Sequence, residues 1–197
     1  MRTPPRRVRR QLAVVVCVLG FGWLLFGCAG QSVHNRSDGQ VHRLTDVQFF
    51  PDDTDQCGPA TLASILTYWG VSTDPMALKG EIYLPRLRGT LPIDLLLAAQ
   101  AHGLRAESYA GSLDNVRSEL EAGHPLVAFL NLGYKIFPQG HYVVITGYDD
   151  QRQGVYVHSG LERDEFLPYE RFLRSWEKTG RWTLRILPQE GEVRDRT

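Results

Sequence analysis

The chain has 197 residues, with 22 Lys and Arg balancing 22 Asp and Glu, and 43% of its residues are hydrophobic. That length allows one domain with a sizeable core. The balanced charge and the absence of a basic patch argue against a nucleic-acid partner.

Residues 1–10 carry five arginines, and Gln11 to Gly27 then run almost without charge. A basic head before a short apolar core reads as a secretory signal peptide over residues 1–27. Leu25-Phe26-Gly27-Cys28 resembles the lipobox of bacterial lipoproteins, which implies cleavage before Cys28 and a lipid on that residue. The alternative is an uncleaved membrane anchor, since the apolar run approaches the ~20 residues of a spanning helix. Either way the rest is expected outside the cytoplasm, facing periplasm or exterior. Cleavage would leave 170 residues with 17 basic against 22 acidic side chains, a net charge of −5. Residues 28–40 are polar and read as a flexible tether.

From about Val41 a folded domain is expected, extending to residue 188. Leu44 to Phe50 alternates as a short strand, and Pro51 to Asp55 forms an acidic loop. Next comes Gln56-Cys57-Gly58-Pro59-Ala60. From Pro59, Leu62, Ile65, Leu66 and Trp69 recur at helical spacing up to a stop at Gly70. Cys57 therefore falls where a loop becomes a helix. The free N–H groups and dipole there favour an anion, so a thiolate is expected to be stabilised. Of three cysteines, one lies in the signal and one is the expected lipid site. Cys57 is left as a lone thiol in an oxidising compartment, the pattern of a nucleophile rather than of a disulfide half.

Further along, Asp74-Pro75 opens a second helix, residues 84–90 form a loop, and Pro92 to His102 form a third helix. Arg105 to Ala110 reads as a strand, and Ser112 caps a helix that Gly123 ends. Pro125 to Leu132 is a continuous apolar run of central-strand type. Tyr134, Phe137 and Pro138 occupy the loop that follows, either walling a substrate groove or packing on the sheet. His141 to Tyr148 and Val155 to Ser159 read as a β-hairpin across the turn 149–154. Tyr169 to Lys178 is an amphipathic helix, Arg181 to Leu187 a last strand, and residues 189–197 a charged tail. Helices come early and strands late, so an α+β fold with an antiparallel sheet is expected.

A thiol nucleophile needs a base, usually histidine. Among six histidines, His34 and His42 belong to the tether and its end, and His102 and His124 adjoin helix-terminating glycines. A cation at a helix C-terminus explains the last two. His141 opens an apolar strand after a glycine and is the expected base. Its hairpin partners place His158 and Ser159 as candidates to orient the ring, although neither supplies the usual carboxylate or amide.

Asp55-Gln56-Cys57-Gly58-Pro59-Ala60-Thr61-Leu62, with Gly140-His141-Tyr142-Val143-Val144-Ile145-Thr146-Gly147-Tyr148, resembles family 39 of the cysteine peptidases. These are papain-like domains that process bacteriocin leaders after double glycines, together with their stand-alone secreted relatives. The resemblance covers about Val47 to Ser159. It implies a papain-like fold with N-terminal helices on an antiparallel sheet, Cys57 as nucleophile, His141 as base, and no metal or cofactor. The chain departs from the family twice. Ser159 stands where the family has an Asp, and Pro51 and Asp52 stand near the place of its oxyanion Gln, leaving Gln56 as the nearby amide. No G-x-x-x-x-G-K-[ST] phosphate loop accompanies the domain, so no nucleotide partner is expected and a bacteriocin-export role is weakened.

The expectation is thus a lipid-anchored cysteine peptidase acting on a peptide or protein, with catalytic Cys57, His141 and Ser159, oxyanion residue Gln56, and membrane contact through Cys28. Two rivals stand beside it. One is a peptidoglycan amide hydrolase using Cys-His-His, for which His158 is the candidate. The other is a papain-like module that binds a peptide without cutting it.

Overall fold

The computed structural model describes residues 40–52, 55–134 and 136–189. The signal peptide, Cys28 with its lipid, His34, nearly all of the tether, and the tail beyond Gln189 lie outside the described residues.

The order is β1 (Val41–Arg43), α1 (Cys57–Tyr68), α2 (Pro75–Ile82), α3 (Pro92–Ala101), β2 (Arg105–Ala110), α4 (Leu113–Glu121), β3 (Leu126–Asn131), β4 (Gly140–Asp149), β5 (Gly154–Ser159), β6 (Glu162–Pro168), α5 (Tyr169–Glu177) and β7 (Trp182–Leu187). The strands form one sheet in the order β2-β7-β3-β4-β5-β6, with β1 also on β4. Every pairing is antiparallel. This is the expected α+β architecture.

Local chemistry sets the helix limits. The Asp74 carboxylate accepts from Met76 N and Ala77 N at 2.8 and 3.0 Å, and Ser112 Oγ accepts from Asn115 N at 3.1 Å. Each thus satisfies backbone donors in a first helical turn. Gly70 and Gly123 end α1 and α4 at φ 81°, a left-handed conformation that glycine adopts without strain.

Helices cover both faces of the sheet. Leu62, Ile65 and Leu66 of α1 and Leu95 and Ala99 of α3 pack on Val127, Tyr142, Val144, Leu184 and Ile186. On the other face, Val116 and Leu120 of α4 and Phe172 and Trp176 of α5 pack on Leu126, Ala128, Val143, Ile145 and Val157. The N-terminal helices therefore form one layer as expected, and α4 and α5 add a second. Burial on both faces explains why β3 and β4 read as unbroken apolar runs. In α5, Tyr169, Phe172 and Trp176 share one stripe at helical spacing. Burial of a ring such as Phe172 contributes about 1.5–3 kcal/mol.

Two expectations fail. Leu44 to Phe50 is not a strand, because pairing with β4 ends at the bond from Leu44 N to Thr146 O (2.7 Å). From Gly140 to Ile145 that edge of β4 belongs to β3. The chain leaves the sheet, and the Val47 carbonyl accepts from a histidine side chain instead. Conversely, Glu162 to Pro168 forms β6, a strand the sequence reading missed. Its first residues, Glu-Arg-Asp-Glu, lie on a sheet edge where polar side chains meet water. A register shift at its start further breaks the period of two.

Candidate active site

α1 begins at Cys57 itself, with Gln56 as N-cap and no capping side chain. The preceding loop is anchored: Asp55 Oδ2 accepts from Tyr83 Oη at 2.7 Å and from Arg88 Nε at 3.3 Å. The Tyr83 bond is the main reason the Asp55 carboxyl is held below its usual range. Gly58 lies against Thr90, where an added Cβ would stand 2.7 Å from the Thr90 Cβ. The carbonyl of Thr90 accepts from Tyr142 Oη at 3.0 Å. These contacts tie the start of α1, the loop before α3 and the start of β4 into one unit.

Cys57 is a free, half-buried thiol. Burial pushes it above the ordinary cysteine value, and the Asp52 carboxylate adds to that. The backbone N–H groups of Tyr142, Gly58 and Cys57 work the other way. The expected helix-terminal stabilisation of a thiolate is thus outweighed by desolvation, a correction to the sequence reading. The Tyr142 N–H faces the thiol, which places the sulfur at the start of β4, one residue from His141.

His141 is half-buried, and its Nε2 lies 3.0 Å from Ser159 Oγ. Burial lowers its pKa from the ordinary value, while the charges of Asp52 and Glu165 pull it upward. Ser159 is therefore the hairpin residue that touches the ring. His158, the other candidate, is 5% exposed and turned elsewhere: its Nε2 donates to Val47 O at 3.1 Å and its Nδ1 accepts from Asp164 N at 3.2 Å. Both nitrogens are committed, and burial holds the ring neutral.

Gln56 adjoins Cys57 in the chain, and its carbonyl accepts from Ala60 N at 3.1 Å. Cys57, Asp52, Ser159 and Gly160 line one cleft, together with Tyr142 and His158. Asp52 is the residue the sequence reading passed over. The bond that brings it there, Asp52 N to Gly160 O at 2.9 Å, joins distant parts of the chain and leaves no sequence signal. His102 and His124 hold Glu81 and Glu119 at 3.0 and 2.8 Å, and His42 stacks on Tyr148. None of these three belongs to the cleft lining.

Beyond Gly140 lies an apolar cleft of about 340 Å³ lined by Pro92, Phe129, Pro138 and Trp182, with Lys178 and Asn131 among its polar members. Tyr134 and Phe137 are 80% and 74% exposed. They therefore stand in solvent rather than packed on the sheet.

A cysteine opening a helix, set against an antiparallel sheet with a histidine at the head of its longest strand, defines a papain-like cysteine-peptidase fold. Residues 40–184 match the Peptidase_C39 like family, and the chain belongs to that family. Solved structures agree on the fold. A C39-like peptidase from Bacillus anthracis is 22% identical with a TM-score of 0.60, covering 76% of this chain and 98% of that one. A double glycine motif protease from an AMS/PCAT transporter, in complex with its leader peptide, is 24% identical with a TM-score of 0.56, covering 76% and 100%. The peptidase domain of Streptococcus ComA, a bifunctional ABC transporter of a quorum-sensing pathway, is 22% identical with a TM-score of 0.58, covering 73% and 99%. None of the curated proteins compared is similar to the chain. Family membership supports a function of the cysteine-peptidase type.

Proposed function

We propose that this protein is a lipid-anchored cysteine peptidase of a bacterial cell envelope, hydrolysing peptide bonds through Cys57 and His141. The observation that carries the reading is the thiol of Cys57 set against the Tyr142 N–H, with the preceding residue, His141, held through its Nε2 by Ser159. With Nε2–H donating to Ser159 Oγ, the Nδ1 lone pair is left to serve as the base. It takes the thiol proton as sulfur attacks the carbonyl carbon, then passes that proton to the departing amine. Water attacks the acyl-enzyme with the same assistance, the acid leaves, and the thiol regains its proton. The Cys57 N–H and the Gln56 side chain are the proposed donors to the oxyanion. Because Cys57 is pushed up and His141 down, the resting pair is neutral near pH 7, and proton transfer accompanies attack.

The double glycine motif protease bound to a leader peptide supports a peptide as substrate here. The apolar cleft beside Gly140, with exposed Tyr134 and Phe137 in the adjacent loop, offers such a peptide apolar contacts. Lipid on Cys28 would hold the domain at the membrane, facing periplasm or exterior.

The test is labelling of Cys57 by a thiol-directed epoxide at pH 7 in wild type and His141→Ala. Fast labelling that requires His141 supports the peptidase. Slow labelling, equal in both proteins, would favour the non-cutting peptide binder, to which the uncharged Ser159 lends support.

A further inference from the structure

When His141 takes the thiol proton it becomes an imidazolium, and the residue that touches it cannot balance that charge. Ser159 Oγ accepts a hydrogen bond at 3.0 Å but is neutral. Among the described residues, the carboxylates that act on the ring are Asp52 and then Glu165. Glu165 sits on β6 opposite Val157, and its charge is shared with Arg171 at 3.7 Å. His158 is neutral and faces Val47 and Asp164, and Asp164 in turn pairs with Arg43 at 3.1 Å.

Asp52 is differently placed. Among the described residues it is the one carboxylate lining the Cys57 cleft, where it lies with Ser159 and Gly160. Its backbone N–H donates to Gly160 O at 2.9 Å, so the loop before α1 is pinned to the turn that follows Ser159. Gly160 makes that turn at φ 58°, and an added Cβ there would stand 3.6 Å from the Asp52 carbonyl. The loop and the turn thus meet beside the ring that Ser159 holds.

We propose that Asp52 is a positioning residue that supplies the counter-charge for the His141 imidazolium, doing from the loop before α1 what a carboxylate at position 159 would do from β5. The inference rests on the cysteine-peptidase reading. The two tasks of an orienting acid are then divided: Ser159 holds the ring by a neutral hydrogen bond, and Asp52 provides the charge. One consequence concerns timing. The same carboxylate opposes a thiolate at Cys57, which keeps the Cys57 thiol protonated at rest. Once attack has placed a negative charge on the carbonyl oxygen and the thiol proton on His141, the imidazolium keeps Asp52 as its partner.

The test is an NMR titration of the His141 ring in isotopically labelled protein, which needs no substrate. Asp52→Asn is expected to move the His141 midpoint downward, and adding Ser159→Asp to that variant is expected to move it back. Epoxide labelling of Cys57 near neutral pH should fall about tenfold in Asp52→Asn and recover in the double variant, with little change in melting temperature. If Asp52→Asn does not fold, Asp52→Ser is titrated instead. A His141 midpoint unmoved by loss of the Asp52 charge overturns the proposal. Failure of the peptidase reading would show separately, as labelling of wild-type Cys57 that does not depend on His141.

Discussion

His141 Nε2 and Ser159 Oγ meet at 3.0 Å across the open end of the β4–β5 hairpin. The bond fixes which nitrogen of the ring is left for the thiol. Ser159→Ala should therefore leave the fold intact and slow epoxide labelling of Cys57. A neutral hydrogen bond is worth about 0.5–1.5 kcal/mol, so the expected loss is roughly 2- to 13-fold. Labelling rates beside melting curves check this, and an unchanged rate would remove Ser159 from the site.

The pH dependence follows from two opposed shifts. Burial pushes His141 down from 6.5 and Cys57 up from 9.0. A base must be unprotonated, so labelling should rise as pH climbs through a midpoint below 6.5 and then level off. Above pH 9, ionisation of the free thiol adds a second rise. His141→Ala should abolish the first step and keep the second. A single rise above pH 9 in wild type would show the thiol reacting without a base.

His158 links stability to pH. Its folded pKa lies below the ordinary 6.5 because burial disfavours the charged ring, so the unfolded chain binds the proton more readily. The stabilisation it gives is complete above pH 6.5 and is lost as pH falls toward the folded value. His141 contributes with the same sign. Urea denaturation at pH 7.5 and 5.5 should show wild type weaker at the lower pH. His158→Ala strands the Val47 carbonyl and the Asp164 N–H. It should cost about 2–4 kcal/mol at pH 7.5 and reduce the difference between the two pH values.

Gly58 tests how tightly α1 is seated. Its Cβ position lies 2.7 Å from Thr90 Cβ and Oγ1, and Thr90 also carries the carbonyl that Tyr142 holds. Gly58→Ala should destabilise the protein by about 1–3 kcal/mol through overpacking. It should also slow labelling of the adjacent Cys57. A melting temperature equal to wild type would mean that the Thr90 loop yields freely.

Much of the frame was legible because it depends on local patterns. The helix after Cys57, the Asp74 and Ser112 caps, the apolar run of β3 and the β4–β5 hairpin all carry their signals within a few residues of sequence. β6 was not legible, since an edge strand that starts Glu-Arg-Asp-Glu with a register shift shows neither alternation nor an apolar run. The supposed strand at Leu44 to Phe50 failed for the complementary reason. Its alternation was real, but β3 already held the edge it would have needed.

The chemistry divides along the same line. The sequence alone determined the residue types at Cys57 and His141 and their places at a helix start and a strand start, because spacing and turn residues specify both. Only the tertiary structure decided that Ser159 rather than His158 meets His141, that burial raises the thiol instead of the helix lowering it, and that Asp52 lines the cleft. Desolvation and through-space charge depend on which distant segments pack together, and no short stretch of sequence contains that information.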